Sequence, residues 1–568
     1  MVGLFHFNVQ YVAGDVAGYH RYRIQTIGPF LSILERNPRW RVSFEMSGSG
    51  LEFINQFDPM LVRRMRRLIE AGQLELVSST YSPSLWVAFP RRDLVKSIEL
   101  NRKCLQSLGL PISRIFFAQE AFFGAGLGTL SSCFDAVVCK DDYISYFSGD
   151  VNVNTAYRLD DVRVIVGSNH LVNELAALSR TGKLPRGMAQ RFTYRFARAE
   201  VNLPAIRQAA FSTNEWGWYH LGSGHHACMP ADPGDWDNFF SNSAWTEMFE
   251  WLVNTYLENG CEFRTLAEYA DAINLQTLPS LPPVIEGSWN SQRSEGVYTW
   301  MGKQAKPWEN DTGILALAWR SRQELVLLEE QIRAIHPVAV PSQLTDEVDR
   351  LWTLQLMAES SDSLGWSPTS SEVRFSPSYA EDVFKFTDRL RQTLNDQGLT
   401  VPDSGVSLCT LAQASEIPAT ASPFCKATLV GGDGVINTIS INENLQLLDL
   451  SFEATDSNAG ITIESFPPRL IYCPSGQENV ATRLEWTALH PATLFIPLAN
   501  GLLGLADELY LIRNNIYSQV AARADKTTGA LSFLISGAEI AKVFHWQFYI
   551  YSGELRDAVI LANAINCI

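Results

Sequence analysis

The feature that most constrains this chain is a regular exchange of short apolar runs and amphipathic stretches over its first 280 residues. Gly3–Asn8, Val42–Met46, Leu74–Ser78, Ile115–Phe117, Ala136–Cys139 and Arg163–Val166 each read as a short strand. Between them, Ile27–Glu35, Pro59–Ala71 and Leu94–Leu108 carry apolar residues at helical spacing. Strand–helix exchange over this length predicts an α/β fold, with parallel strands joined by crossover helices in a barrel-like sheet. In such sheets the chemistry sits at the carboxyl ends of the strands, where the loops converge. Polar residues directly after these strands are therefore the first candidates for function.

The pattern then changes twice. A Pro-rich break, Leu278–Pro283, ends the alternating region, and Ile314–Ile335, Leu344–Glu359 and Ser378–Gln397 read as helices. Beyond residue 400, Gly460–Glu464, Arg469–Cys473, Thr482–Thr487 and Thr493–Pro497 read as strands of a β-sandwich-like module. The expected organisation is therefore 1–280 (barrel), 281–399 (helical, contributing to the cleft) and 400–568 (all-β). No run approaches the ~20 apolar residues of a membrane helix, and the N-terminus reads as a first strand rather than a signal peptide. Nine cysteines without a CxxC pair suggest reduced thiols in a cytoplasmic protein. With 45 basic and 61 acidic residues, the chain carries a formal charge of −16. That sign disfavours nucleic acid and membrane surfaces as partners. Fifteen Trp, 18 Tyr and 30 Phe fit the stacking of neutral sugars on aromatic faces, although a large core also uses aromatics.

Several segments, taken in order, resemble glycoside hydrolase family 57. Phe5-His6-Phe7-Asn8 stands where that family has His-Gln-Pro. Arg41–Gly48 resembles its second strand, which also ends in Ser-Gly. Ala71-Gly72-Gln73-Leu74-Glu75-Leu76-Val77-Ser78 is similar to its Gly-x-x-Glu strand. Ile115-Phe116-Phe117-Ala118-Gln119-Glu120 resembles the strand that delivers the nucleophile. Glu286-Gly287-Ser288-Trp289 looks like its Gly-Ser-Trp segment, and Leu351–Asp362 like its helix ending in Gln-Ser-Ser-Asp. The resemblance implies an incomplete (β/α)7-type barrel. It also implies a retaining hydrolase or glucanotransferase acting on α-linked oligo- or polysaccharides without a cofactor.

On that resemblance Glu120 is the nucleophile, a carboxylate that attacks the anomeric carbon to form a glycosyl-enzyme intermediate. The competing reading is a strand-end Glu paired with an Arg. His6 is a sugar-binding residue on the same basis, or otherwise a satisfied core histidine. Glu75 is either a substrate-binding residue or a buried, hydrogen-bonded carboxylate, since burying one without partners is costly. Trp289, Trp300 and Trp308 are candidates for stacking on a glycan, with packing expected for at least one. His225 and Asp142 complete the expected binding set.

The chain departs from the family at the general acid. Leu221 and Gly222, within Trp216–His226, hold the place of the family's Asp. The expected replacements are His226 or Asp235, with His225 and Asp232 as alternatives. Two other readings stay open: a glycan-binding relative without turnover, and a metal-dependent glycosidase. In the latter His6, Asn8, Asp141, Asp142, His225 and His226 would supply the ligands, as family 38 α-mannosidases use a His-x-Asp at their first strand. Two glycine runs are read as local structure. Ser47–Gly50 reads as a strand-end turn and Gly124–Gly128 as a flexible active-site loop.

Overall fold

The computed structural model describes residues 2–7, 27–140, 144, 156–167, 210–213, 250, 254, 257–258, 262–288, 297–302, 310–364, 370, 372–399, 426–464, 469–475, 477–485, 492–506, 508–516 and 521–568. The first part holds β1 (Val2–His6), β2 (Val42–Glu45), β3 (Leu74–Val77), β4 (Ile115–Phe116), β5 (Ala136–Lys140), β6 (Tyr157–Leu159), β7 (Val162–Gly167) and β8 (Ala210–Thr213). They form one sheet in the order β3-β2-β1-β8-β7-β5-β4, with β6 hairpinned on β7. All pairs except β6–β7 are parallel. The two outermost strands of that path also meet. Ser78 N donates to Ile115 O and Phe117 N to Ser78 O, both at 3.0 Å. Near-continuous burial along β1, β2 and β7 is what a sheet covered on both faces requires.

Helices α1 (Gly28–Arg36), α2 (Gly48–Phe57), α3 (Pro59–Glu70), α4 (Arg91–Ser107) and α5 (Leu266–Asp271) accompany this sheet. The first glycine run is not a turn but the start of α2, with Ser47 Oγ accepting from Gly50 N at 3.2 Å. Its glycines reflect crowding. A Cβ on Gly48 would lie 2.7 Å from Asn101 Oδ1 and 3.1 Å from Tyr81. The second run is a 3-10 segment, Ala125–Leu130, whose Gly126 and Gly128 are buried.

Three long helices follow: α6 (Asp311–Ile335), α7 (Ser342–Ala358) and α8 (Phe375–Asp396). A buried polar cluster joins them to α4. Arg322 forks onto Asp93, through Nε–Oδ2 at 2.5 Å and Nη2–Oδ1 at 3.0 Å, and both residues are essentially inaccessible. Arg322 Nη1 also donates to Cys567 O at 2.8 Å. Beside them Glu359 accepts from Gln355 Nε2 at 2.9 Å. Burial, reinforced by Asp93, holds the Glu359 carboxyl well above the usual range. The turn that follows α7 then docks on the loop after β3. Leu85 N donates to Glu359 O, and Ser361 N to Pro83 O.

Among the described residues, the remainder is all-β apart from one helix. A seven-stranded antiparallel sheet contains Gly432–Asn442, Leu445–Ala454, Val543–Ser552, Leu509–Arg513, Leu502–Ala506, Arg469–Tyr472 and Thr482–Glu485 in that order. A five-stranded sheet contains Thr493–Pro497, Ala521–Asp525, Leu531–Ser536, Asn458–Ile463 and Ala427–Val430. Leu448, Leu450 and Phe452 share one apolar core with Ile461, Ile463 and Phe533 of the second sheet. Helix α9 (Leu555–Ile565), unforeseen in the sequence, covers the other face through Ala558, Val559 and Ala562. No described helix is long and apolar enough to cross a membrane, and none of the five described cysteines is in a disulfide.

Removing one partner from a fully buried fork strands the other charge. Arg322→Leu is therefore expected to cost about 3–5 kcal/mol in chemical denaturation. The double variant Arg322→Leu/Asp93→Leu should recover part of that loss. Equal stability of wild type and the single variant would contradict this account.

Candidate functional site

The carboxyl ends of β1, β2 and β4 bring His6, Glu45, Gln119 and Glu120 together. His6 and Glu45 are register partners at the last positions of β1 and β2. The His6 Nδ1 hydrogen-bonds Glu45 Oε2, and both side chains are buried. The second carboxylate oxygen accepts from Gln119 Nε2 at 3.0 Å. Glu45 thus ties the end of the first strand to the residue preceding Glu120.

Burial alone would lower the His6 pKa. Its bond to Glu45 and the nearby charges of Glu120 and Asp362 outweigh burial and raise it above 6.5. Nδ1 is the ring nitrogen that faces Glu45. Among the described residues Nε2 makes no hydrogen bond. Asp362 reaches this neighbourhood from the turn after α7, where Ser360 pairs with Ser84. Sequence reasoning missed Glu45, Gln119 and Asp362 as members of the site. The available signal was an acidic residue closing an otherwise apolar strand next to His6.

Glu120 is buried and lies in a short 3-10 turn directly after β4. Its φ of 55° and that of Ala121, 47°, place two successive side-chain-bearing residues in the left-handed region. Each such residue costs on the order of 1–3 kcal/mol and persists only where the surroundings over-determine it. Here Ser288 Oγ donates to Glu120 O at 3.0 Å. Phe123 and Gly287 exchange two backbone hydrogen bonds of 2.9 Å. Trp86 Nε1 donates to Phe122 O at 3.2 Å.

Glu75 does not join the cluster. It sits toward the amino end of its strand, opposite Ser43. Its carboxylate accepts from Ser43 Oγ (2.8 Å), Ser113 Oγ (2.7 Å) and Ala267 N (3.0 Å). It therefore closes the amino end of the sheet and meets the first turn of α5, where negative charge is favoured. Trp300 is buried edge-on against Phe122, with ring centroids 5.7 Å apart, so it is a packing residue. Asn8, Asp141, Asp142, Leu221, Gly222, His225, His226, Asp232, Asp235, Trp289 and Trp308 lie outside the described residues. Among the described residues no three His, Cys, Asp or Glu side chains converge as a metal-binding group.

Residues 17–280 match the model of glycosyl hydrolase family 57. A 4-alpha-glucanotransferase of Thermococcus litoralis is 29% identical over 115 residues, 20% of this chain and 18% of that protein. An alpha-amylase of Pyrococcus horikoshii is 28% identical over the same length and shares. The chain thus aligns with less than a fifth of the length of these relatives. An alpha-mannosidase from Enterococcus faecalis superimposes over 100% of this chain and 89% of its own, with a TM-score of 0.56 and 8% identity, and so shares the fold.

The His6–Glu45 pair gives a pH dependence with a definite sign. A histidine whose pKa is raised on folding stabilises fully below its unfolded value, and the contribution fades as pH rises through the folded value. By NMR of labelled histidines, His6 is expected to titrate above 6.5 in wild type and below it in Glu45→Gln, where burial is left to dominate. An unchanged midpoint in the variant would refute the pairing.

Proposed function

We propose that this protein is a retaining α-glycan-active enzyme, a hydrolase or glucanotransferase, built on a (β/α)7-type barrel with Glu120 as nucleophile. In this reading 1–280 is the catalytic barrel, 281–399 a helical domain lining the cleft, and 400–568 a β-sandwich-like domain. The observation that carries the proposal is the strained Glu120 turn at the carboxyl end of β4, within the family-matched stretch. Left-handed geometry at a side-chain-bearing residue is a structural cost that concentrates at functional sites. The bridge between the outermost strands supports closure of the barrel. Names of the relatives support α-glucans as the substrate class.

The proposed reaction proceeds in two displacements. The Glu120 carboxylate attacks the anomeric carbon while an acid protonates the departing oxygen. Water or a second sugar hydroxyl, deprotonated by the same group, then releases the glycosyl-enzyme. His6 would hydrogen-bond a sugar hydroxyl through Nε2, its charge balanced by Glu45. Trp289, His225 and Asp142 remain proposed substrate contacts, and His226 or Asp235 the proposed acid/base.

Glu120→Gln keeps the shape of the side chain but cannot attack carbon. Turnover of maltoheptaose or amylose is expected to fall by at least roughly 10³-fold with binding largely retained. Wild-type turnover in that variant would remove the central assignment. For the acid, one of His225→Ala, His226→Ala, Asp232→Asn and Asp235→Asn should slow natural substrates by at least ~100-fold. Nitrophenyl glycosides should be much less affected, because that leaving group departs without a proton. Wild-type rates in all four would place the acid elsewhere.

A further inference from the structure

The segment that supports Glu120 is held from behind by the all-β part of the chain. Glu286, immediately before the Gly287–Ser288 pair that bonds the Glu120 turn, is fully buried. Its Oε2 lies 3.0 Å from Ser475 Oγ, on the loop after Arg469–Tyr472. Ser475 Oγ in turn lies 2.7 Å from Val87 O. A hydroxyl has one proton, and a carbonyl can only accept. Ser475 can donate to only one of Glu286 and Val87 O; when it donates to Val87 O, the shorter contact, it faces Glu286 with a lone pair, which a carboxylic acid O–H satisfies.

We propose that Glu286 is a positioning residue, a neutral carboxylic acid that donates to Ser475 and so clamps the Glu120 turn between the sheet of β1–β8 and the all-β part. Gly124 is the matching recess. A Cβ there would lie 2.3 Å from Glu286 Cγ, so only glycine lets the acid pack against the end of the turn. Glu478, bonded to the Arg91 backbone N–H from the same all-β loop, and Tyr472 are the titratable groups facing Glu286. Glu478 opposes a further negative charge. Burial first, with Glu478 adding to it, holds this carboxyl well above the usual range, although the Ser475 bonds pull the other way.

The catalytic consequence rests on the reading of Glu120 as nucleophile, but the clamp itself is tested without substrate. The experiment follows amide exchange at Phe123 and Gly287 in the full chain, with Ser475→Ala, Glu286→Ala and Glu286→Gln. The neutral amide of Gln can still donate to Ser475. Exchange is expected to quicken at least ~10-fold in both alanine variants and to stay near wild type in Glu286→Gln. A second arm measures unfolding against pH. An acid raised on folding stabilises fully below its unfolded value of about 4.5 and loses that contribution as pH rises through its folded value. Wild type should therefore lose stability relative to Glu286→Gln as pH climbs from there. On an α-glucan, Ser475→Ala should lower kcat by roughly 10-fold with little change in KM, the signature of a displaced reacting group. Unchanged exchange in the alanine variants, or parallel stability profiles, would overturn the clamp. Absence of turnover by the wild type would instead overturn the nucleophile reading, leaving the exchange arm to decide the clamp.

Discussion

Two adjacent side-chain-bearing residues with positive φ cannot be held by local hydrogen bonding alone, and at Glu120–Ala121 the support arrives from three separate stretches of chain. Ser288 and Gly287 hold the backbone after the turn. Trp86, from the loop after β3, holds Phe122. Glu45, from the end of β2, holds Gln119. Each is rigid because it is itself buried in a packed sheet or loop. The cost of the left-handed pair, on the order of 2–6 kcal/mol by the usual range per residue, is therefore spread over a large part of the fold. A loop anchored at its two ends only would relax to an ordinary conformation and turn the carboxyl elsewhere.

This dependence explains what could be read from sequence and what could not. Strands and long helices were legible because their burial periods differ, and the observed bounds of β2, β4, α3 and α6 lie within a few residues of those expected. His6 and Glu120 were legible as strand-end polar residues. Glu45 was not, because a carboxylate inside an apolar run carries no sign of its partner 39 residues away. Helix α2 was hidden by Gly48 and Gly50, which are there to let Asn101, Tyr81 and Met46 approach and not to break the chain. Helix α9 lay beyond an alternating region whose pattern dominated the reading. Glu75 shows the limit in the other direction. Its strand resembled a functional motif, yet two residues along a strand separate it by about 7 Å from the end where the chemistry gathers.

The buried acids of this chain follow one electrostatic rule by two routes. An ionised carboxylate cannot be taken out of water without compensation. In the cluster beside Glu120 the compensation is a histidine, whose pKa Glu45 raises against the effect of burial. At Glu359 beside Asp93 and at Glu286 beside Ser475 burial raises the carboxyl toward its neutral form, whereas Asp93 in the same helical seam is compensated by the Arg322 guanidinium. The distinction has a physical consequence. A neutral acid donates one directional hydrogen bond and adds no long-range field. An ion pair leaves a donor on the far side of the ring, Nε2, with its electrostatics set by a carboxylate that solvent does not reach. Exchanging the two solutions would fail at both places. A second net charge at Glu286 would face Glu478 in a medium that screens poorly, and a neutral residue at Glu45 would leave burial to strip the proton from His6.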